Sequence, residues 1–253
     1  AITEKTACVF YVANSKSRPA LCDVTEVAHN SNIPVLVDAA AQIPPVENLK
    51  RFIREGADLV TFSGGKSIQG PQGSGILCGR KDLVASAALQ NLDQDIFFDQ
   101  WQPPPGLFDK SLLRGLPQHG IGRTCKVGKE QVVGLLIALR LFTGGSYEQQ
   151  NIRNLKLLEN LYRKLKPKLQ SLAEIVITPG SEEPVLHLRT GKNDPDSAFA
   201  LILSLEQEEP SIHCDPSRTE EGLVIINASC LRSEDTEFIA ARLNELLTDD
   251  PSI

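Results

Sequence analysis

From Thr6 to Gly79, short β-rich apolar runs alternate with segments of helical spacing, and this alternation narrows the choice of fold more than any other feature of the chain. The run TACVFYV (Thr6 to Val12) reads as a strand. LCDVTEVAHN (Leu21 to Asn30) sets Leu21, Val24, Val27 and Ala28 at helical spacing, and PVLVD (Pro34 to Asp38) reads as a buried strand ending in an acid. NLKRFIREG (Asn48 to Gly56) supplies the next helix, closed by its glycine, and ADLVTFS (Ala57 to Ser63) the next strand. Such units build a mostly parallel sheet with crossover helices. GILCG (Gly75 to Gly79) follows a Gly-rich loop too short for a crossover helix, so this strand is predicted to run antiparallel to its predecessor.

Beyond Gly79 the pattern loosens. Gln90 to Gly122 is rich in Pro, Gly and Asp, too irregular for a helix and long enough to be functional or disordered. KEQVVGLLIALRLF (Lys129 to Phe142) predicts a strongly apolar helix, which a core or a subunit interface would explain equally. Ser146 to Leu172 predicts a long amphipathic helix, bent or broken at Pro167. Short strands are predicted at Glu174 to Thr178, Val185 to Leu188, Ser211 to Cys214 and Leu223 to Ile226, with helices at Asp196 to Leu205 and Ser233 to Leu247. The expected organisation is an α/β domain over residues 1–145, a connecting helix over 146–172 and a small α+β domain over 173–253.

With 253 residues, 41% of them apolar, the chain can bury a sizeable core, and its formal charge of -6 argues against a surface built for nucleic acid. Six cysteines lie scattered with no C-x-x-C pair and no histidine at ligand spacing, so neither a metal site nor a disulfide framework is expected, and the compartment reads as a reducing cytoplasm. No apolar run reaches membrane-spanning length. The chain opens at Ala1 on what reads as mid-domain, without a methionine anywhere, so an earlier portion is expected to be missing.

Chemistry gathers at two strand ends. Asp38 closes one strand in VDAAAQ, and Lys66 stands just past the next in TFSGGKSIQGPQGSG. Ligands of doubly wound sheets collect outside the carboxyl ends of strands, which makes this acid and this amine neighbours in one cleft. Singly, Asp38 reads as a helix N-cap and Lys66 as a solvated turn lysine. In order, on consecutive βα units, they match what pyridoxal 5'-phosphate (PLP) needs: an amine to form an imine and an acid to keep the pyridine nitrogen protonated. Ser63 and exposed N–H groups are candidates for the cofactor phosphate, Gln42 for a further cofactor contact and Gln72 for cofactor or substrate, while the glycine pair before Lys66 would let backbone approach a flat ring. GGKS also looks like the tail of a phosphate-binding P-loop, but that motif's first glycine would fall at Val60, and Pro71 spoils the helix that should follow.

At these residues the sequence resembles a known family. PVLVDAAAQIPP, GADLVTFSGGKSIQGPQGSGILCGRKDLV and GIGRTCKVGKEQVVGLL are similar to the selenocysteine synthase-like group of fold-type I PLP enzymes, which includes L-seryl-tRNA selenium transferase and D-glucosaminate-6-phosphate ammonia lyase. The resemblance implies a fold-type I large domain followed by a small domain, PLP bound to Lys66, and Asp38 on the ring nitrogen. Gly65 before the lysine and GRTCKVGKE (Gly122 to Glu130) depart from the selenium transferases and favour the lyase branch. The implied reaction is an α,β-elimination releasing ammonia from an amino acid or amino sugar acid, with Lys66 as general base and a homo-oligomer as the assembly. A selenium transferase-like reaction and a truncated, non-catalytic partner subunit are the alternatives. Arg123, Lys126 and Lys129 could bind a substrate phosphate or carboxylate or merely open a helix. His119 lies in the long loop beside Arg123, and Arg218 or Arg232 could serve the substrate carboxylate. The part of the family's large domain that cups the phosphate and stacks on the ring does not appear before Thr6.

Overall fold

The computed structural model of the chain describes residues 2–92, 96–179, 181–190 and 194–249. It divides into two compact units, Ala1–Gly144 and Gly145–Ile253.

In the first unit, β1 (Val9–Val12), α1 (Leu21–His29), β2 (Val35–Asp38), α2 (Asn48–Arg54) and β3 (Leu59–Ser63) follow the βα alternation, and β4 (Gly75–Gly79) closes the sheet. The sheet order is β1-β2-β3-β4, with the first three strands parallel and β4 antiparallel to β3. Side chains alternate between faces along each strand. Val35, Val37, Val60 and Phe62 are buried, and α2 packs against this face, its Phe52 ring centred 6.2 Å from that of Phe62. Thr25 Oγ of α1 donates to the Glu55 carbonyl at 3.0 Å, tying the two crossover helices together. The opposite face is open: Phe10 is 59% exposed and Val12 53%.

Asp58, just ahead of β3, clamps the edge of the unit where the parallel strands begin. Its carboxylate accepts from the Val35 N–H at 2.8 Å, meets His29 Nε2 at 2.8 Å and accepts from Arg80 at 3.1 Å, so one side chain joins α1, β2, β3 and the end of β4. Burial alone would raise this carboxyl, but the Val35 N–H, His29 and Arg80 together hold it below the usual carboxylate range.

After β4 comes α3 (Lys81–Gln90), a helix the sequence reading passed over, and it buries none of its residues. Among its described residues, the irregular stretch predicted from Gln90 to Gly122 carries two single 3-10 turns, Phe98–Gln100 and Lys110–Leu112, and a bridge residue at His119; residues 93–95 of it lie outside the described residues. A further 3-10 turn, Arg123–Cys125, leads to α4 (Lys129–Thr143). Of the whole apolar α4 only Phe142 is buried, while Val132, Val133, Leu136, Ile137 and Leu141 are exposed, so a core does not account for its composition within this unit.

In the second unit, α5 (Ser146–Lys164) stops short of the predicted Leu172. Leu165 is extended, and Pro167, which cannot donate to a continuing helix, instead opens the short α6 (Pro167–Gln170). β5 (Ala173–Thr178), β6 (Glu183–Arg189) and β7 (Leu223–Asn227) form an antiparallel sheet in that order, with α7 (Pro195–Glu206) and α8 (Asp235–Asp249) completing the unit. Asp194 caps α7 by accepting from Ser197 N at 3.0 Å. Leu158, Leu161, Leu186, Leu188, Leu201, Leu205, Val224 and Leu243 are fully buried together, each worth about 1.5–3 kcal/mol of transfer free energy.

The strand predicted at Ser211 to Cys214 does not form. Ile212 N donates to Leu205 O at 2.9 Å and Ser211 Oγ to Glu206 O at 2.7 Å, so the segment satisfies the end of α7, and only Asp215 reaches the sheet, as an isolated bridge to Ile225. Among the described residues no helix is long and apolar enough to cross a membrane.

Candidate functional site

Register explains why the two key strand ends meet. Asp38, the last residue of β2, lies opposite Thr61 of β3, and Ala39 N donates to Thr61 O at 3.0 Å, so β2 leaves the sheet beside the strand that leads into the Lys66 loop. The pairing also fixes the face. Asp38, Thr61 and Ser63 share it with the exposed Phe10 and Val12, opposite the valine-rich face under α1 and α2. Asp38 does not cap a helix; its Oδ1 accepts from Ala40 N at 2.9 Å, and among the described residues Oδ2 has no partner. A half-buried carboxylate with one oxygen to spare, aimed from an open sheet face, suits a protonated ring nitrogen, and Lys66 is exposed on the neighbouring loop. The residues present therefore fit PLP.

The Lys66 loop is held by its own bonds. Gly64 N donates to Ser74 O at 2.9 Å, Gly70 N to Gly64 O at 2.8 Å and Gln69 N to Lys66 O at 2.7 Å. A Cβ on Gly64 would stand 2.2 Å from Ser74 Oγ and one on Gly65 2.6 Å from Gln72 Cα, so the loop folding back on itself already excludes side chains there. Gln72 is exposed and packs over Gly65. α4 braces the loop from behind: a Cβ on Gly134 would press to 2.7 Å on Pro71 Cγ, which explains a glycine in the middle of that helix.

A cleft of about 610 Å³ opens beside these residues, lined among others by Thr61, Gly73, Leu77, Asn91, Cys125 and Lys126. Its lining joins Lys126 to Thr61, the strand neighbour of Asp38, and does not include Asp38, Ser63 or Lys66. His119 and Arg123, both exposed on the preceding loop, do not line it. Gln42 is half-buried in the turn after Asp38, where its N–H donates to Ala39 O at 3.0 Å and its carbonyl accepts from Asn48 at 2.6 Å. Thr61, Asn91 and Cys125 were not singled out from sequence; Thr61 had a signal, a polar residue inside an apolar strand. In the second unit Arg218 is paired with Glu221, and Arg232 lies 3.8 Å from Glu234. Among the described residues no three His, Cys, Asp or Glu side chains gather for a metal.

Residues 1–96 match the family Aminotransferase class-V. The chain is 29% identical over 98% of its length to 5'-C-glycyluridine monooxygenase-decarboxylase of a Streptomyces species, of which it covers 56%. It is 32% identical over 57% of its length to D-glucosaminate-6-phosphate ammonia lyase of Salmonella typhimurium, of which it covers 32%. The solved structure of D-glucosaminate-6-phosphate ammonia-lyase superposes with a TM-score of 0.68 at 24% identity, over 98% of this chain and 59% of that one. The chain thus spans little more than half the length of the relatives that it matches from end to end. By these likenesses the chain has the fold of D-glucosaminate-6-phosphate ammonia-lyase, and its residues 1–96 match the Aminotransferase class-V family.

Proposed function

We propose that the chain carries the catalytic half of a PLP-dependent lyase site, in which Lys66 holds the cofactor and Asp38 keeps its ring nitrogen protonated. The observation that carries the reading is the placement of Asp38 and the Lys66 loop on adjoining strand ends, with Asp38 facing out of the sheet. Bound PLP supplies a ring that accepts the electrons left when a bond to the substrate α-carbon breaks. The Asp38 carboxylate, oriented by the Ala40 N–H, would accept from the ring N–H and so keep the proton on that nitrogen. Lys66 would hold the cofactor through Nζ, and its free amine would take the substrate α-proton as general base. In this reading Ser63 reaches the cofactor phosphate, Gln42 makes a further cofactor contact, and Gln72, exposed on the Lys66 loop, faces cofactor or substrate. Lys126 on the cleft wall offers a point charge to an anionic group of the substrate, and Arg123 and His119 stand on the loop leading to it.

The substrate is an amino acid or amino sugar acid with a leaving group on its β-carbon, and the products are ammonia and a keto acid. The test is release of keto acid and ammonia from D-glucosaminate 6-phosphate and from serine by PLP-loaded protein. Loss of both products in Lys66→Ala supports the reading; equal release by Lys66→Ala sinks it. The similarity to a monooxygenase-decarboxylase along nearly the whole chain favours a second reading, in which the bond opened is the one to the carboxylate. Evolution of carbon dioxide in place of ammonia would select it.

A further inference from the structure

A second cleft, of about 540 Å³, lies between α3 and the segment Leu107–Leu113. The β3–β4 register separates its charged rim from the Lys66 loop: Gly75 pairs with Ser63 but Gly79 with Leu59, so Lys81 lies beyond the opposite end of the sheet. The floor is apolar, with Ala85 and Leu89 one helical turn apart on α3 facing Leu107, Phe108 and Leu113. The far wall is braced without help from a ligand. Phe108 packs against Trp101 in a tilted arrangement, ring centroids 5.4 Å apart, and Lys110 donates to the carbonyls of Asp99 at 3.0 Å and Trp101 at 2.9 Å. The volume falls in the ordinary range for small-molecule sites.

The rim carries opposite charges. Asp82 is engaged by Arg80 at 2.7 Å. Asp109 is oriented by Ser111, whose N–H and hydroxyl both donate to Oδ1, at 3.0 and 2.6 Å, leaving Oδ2 without a partner among the described residues. Ser111's donors, and with them the nearby Lys81 ammonium, hold the Asp109 carboxyl below its ordinary range. A fatty acid would satisfy Lys81 and leave Asp109 facing a ligand without a donor; an alkylamine would do the reverse. A zwitterion satisfies both.

We propose that this cleft binds a free α-amino acid with an aliphatic or aromatic side chain, its carboxylate on Lys81, its ammonium on Asp109 and its side chain among Leu89, Phe108 and Leu113. The test is calorimetric titration of the full chain carrying Lys66→Ala, which removes the amine of the first site, with L-leucine, 4-methylpentanoate and isoamylamine. L-leucine is expected to bind about tenfold more tightly than either half-ligand, the worth of one charge-assisted hydrogen bond. Ala85→Trp, which fills the cleft, abolishes binding. Lys81→Gln, an exposed change that leaves folding intact, weakens L-leucine about tenfold and does not weaken isoamylamine. No saturable heat with L-leucine, equal affinity for the half-ligands, or L-leucine binding indifferent to Lys81→Gln would each overturn the proposal.

Discussion

The two units bury their sheets to different extents. In the second, helices α5, α7 and α8 contribute leucines to one continuous core with the β5-β6-β7 sheet. In the first, helices cover one face of the β1-β2-β3-β4 sheet, while the other leaves Phe10 and Val12 largely exposed and α4 displays a row of apolar side chains. The closed unit is built for stability. The uncovered face of the open unit is the one that carries Asp38, Thr61 and Ser63, so the place where packing is left incomplete is also the place where a ligand can stand.

The Cys214 thiol tests how closed the second unit is at its core. Burial pushes the Cys214 thiol up to about 12, with Glu206 and Asp215 adding to the shift, whereas Cys8, Cys22 and Cys125 of the first unit are exposed. Because the thiolate is the nucleophile, iodoacetamide at neutral pH should label Cys214 about a thousandfold more slowly than Cys22, as followed by mass spectrometry. Equal rates would mean that the second unit is not closed there.

Core truncation comes next. Leu201→Ala removes a fully buried side chain and should lower the stability of the second unit by about 2–5 kcal/mol in urea unfolding. Asp58→Asn tests whether the first unit has one firm edge despite its open face. Loss of its charge-assisted bonds should cost about 1.5–3 kcal/mol at neutral pH. The sign in acid follows from the direction of the shift. Asp58 is depressed in the folded state, so its contribution is complete above the ordinary carboxylate range and is lost as pH falls through the folded value. The Asn variant should therefore show a flatter acid limb. Smallest of all, Leu136→Ala on the exposed face of α4 should change stability by less than about 0.5 kcal/mol, and a large loss would show that this face is covered in solution.

Much of the first unit was legible because its signals are local: apolar runs, their helical or alternate spacing, and an acid and a lysine at successive strand ends. The clamp at Asp58 was not, since His29 and Arg80 stand 29 and 22 residues away in sequence and nothing local joins them. α3 escaped notice because KDLVASAALQ has only a weak apolar stripe, which the fold leaves unburied. Ser211 to Cys214 misled by alternation: the apolar residues do face inward, but the backbone bonds go to the end of α7. Lys126 and His119 looked alike in sequence as polar loop residues, and only the path of the loop sets Lys126 in the cleft beside Thr61.

Incubation of the full chain with PLP, borohydride reduction and peptide mapping tests the central claim most directly. One reduced pyridoxyl phosphate group on the peptide containing Lys66, and none on Lys126, Lys129 or the other lysines, is the predicted result. Modification spread over several lysines, or undiminished labelling in Lys66→Ala, would contradict the assignment of Lys66 and Asp38 to one cofactor site.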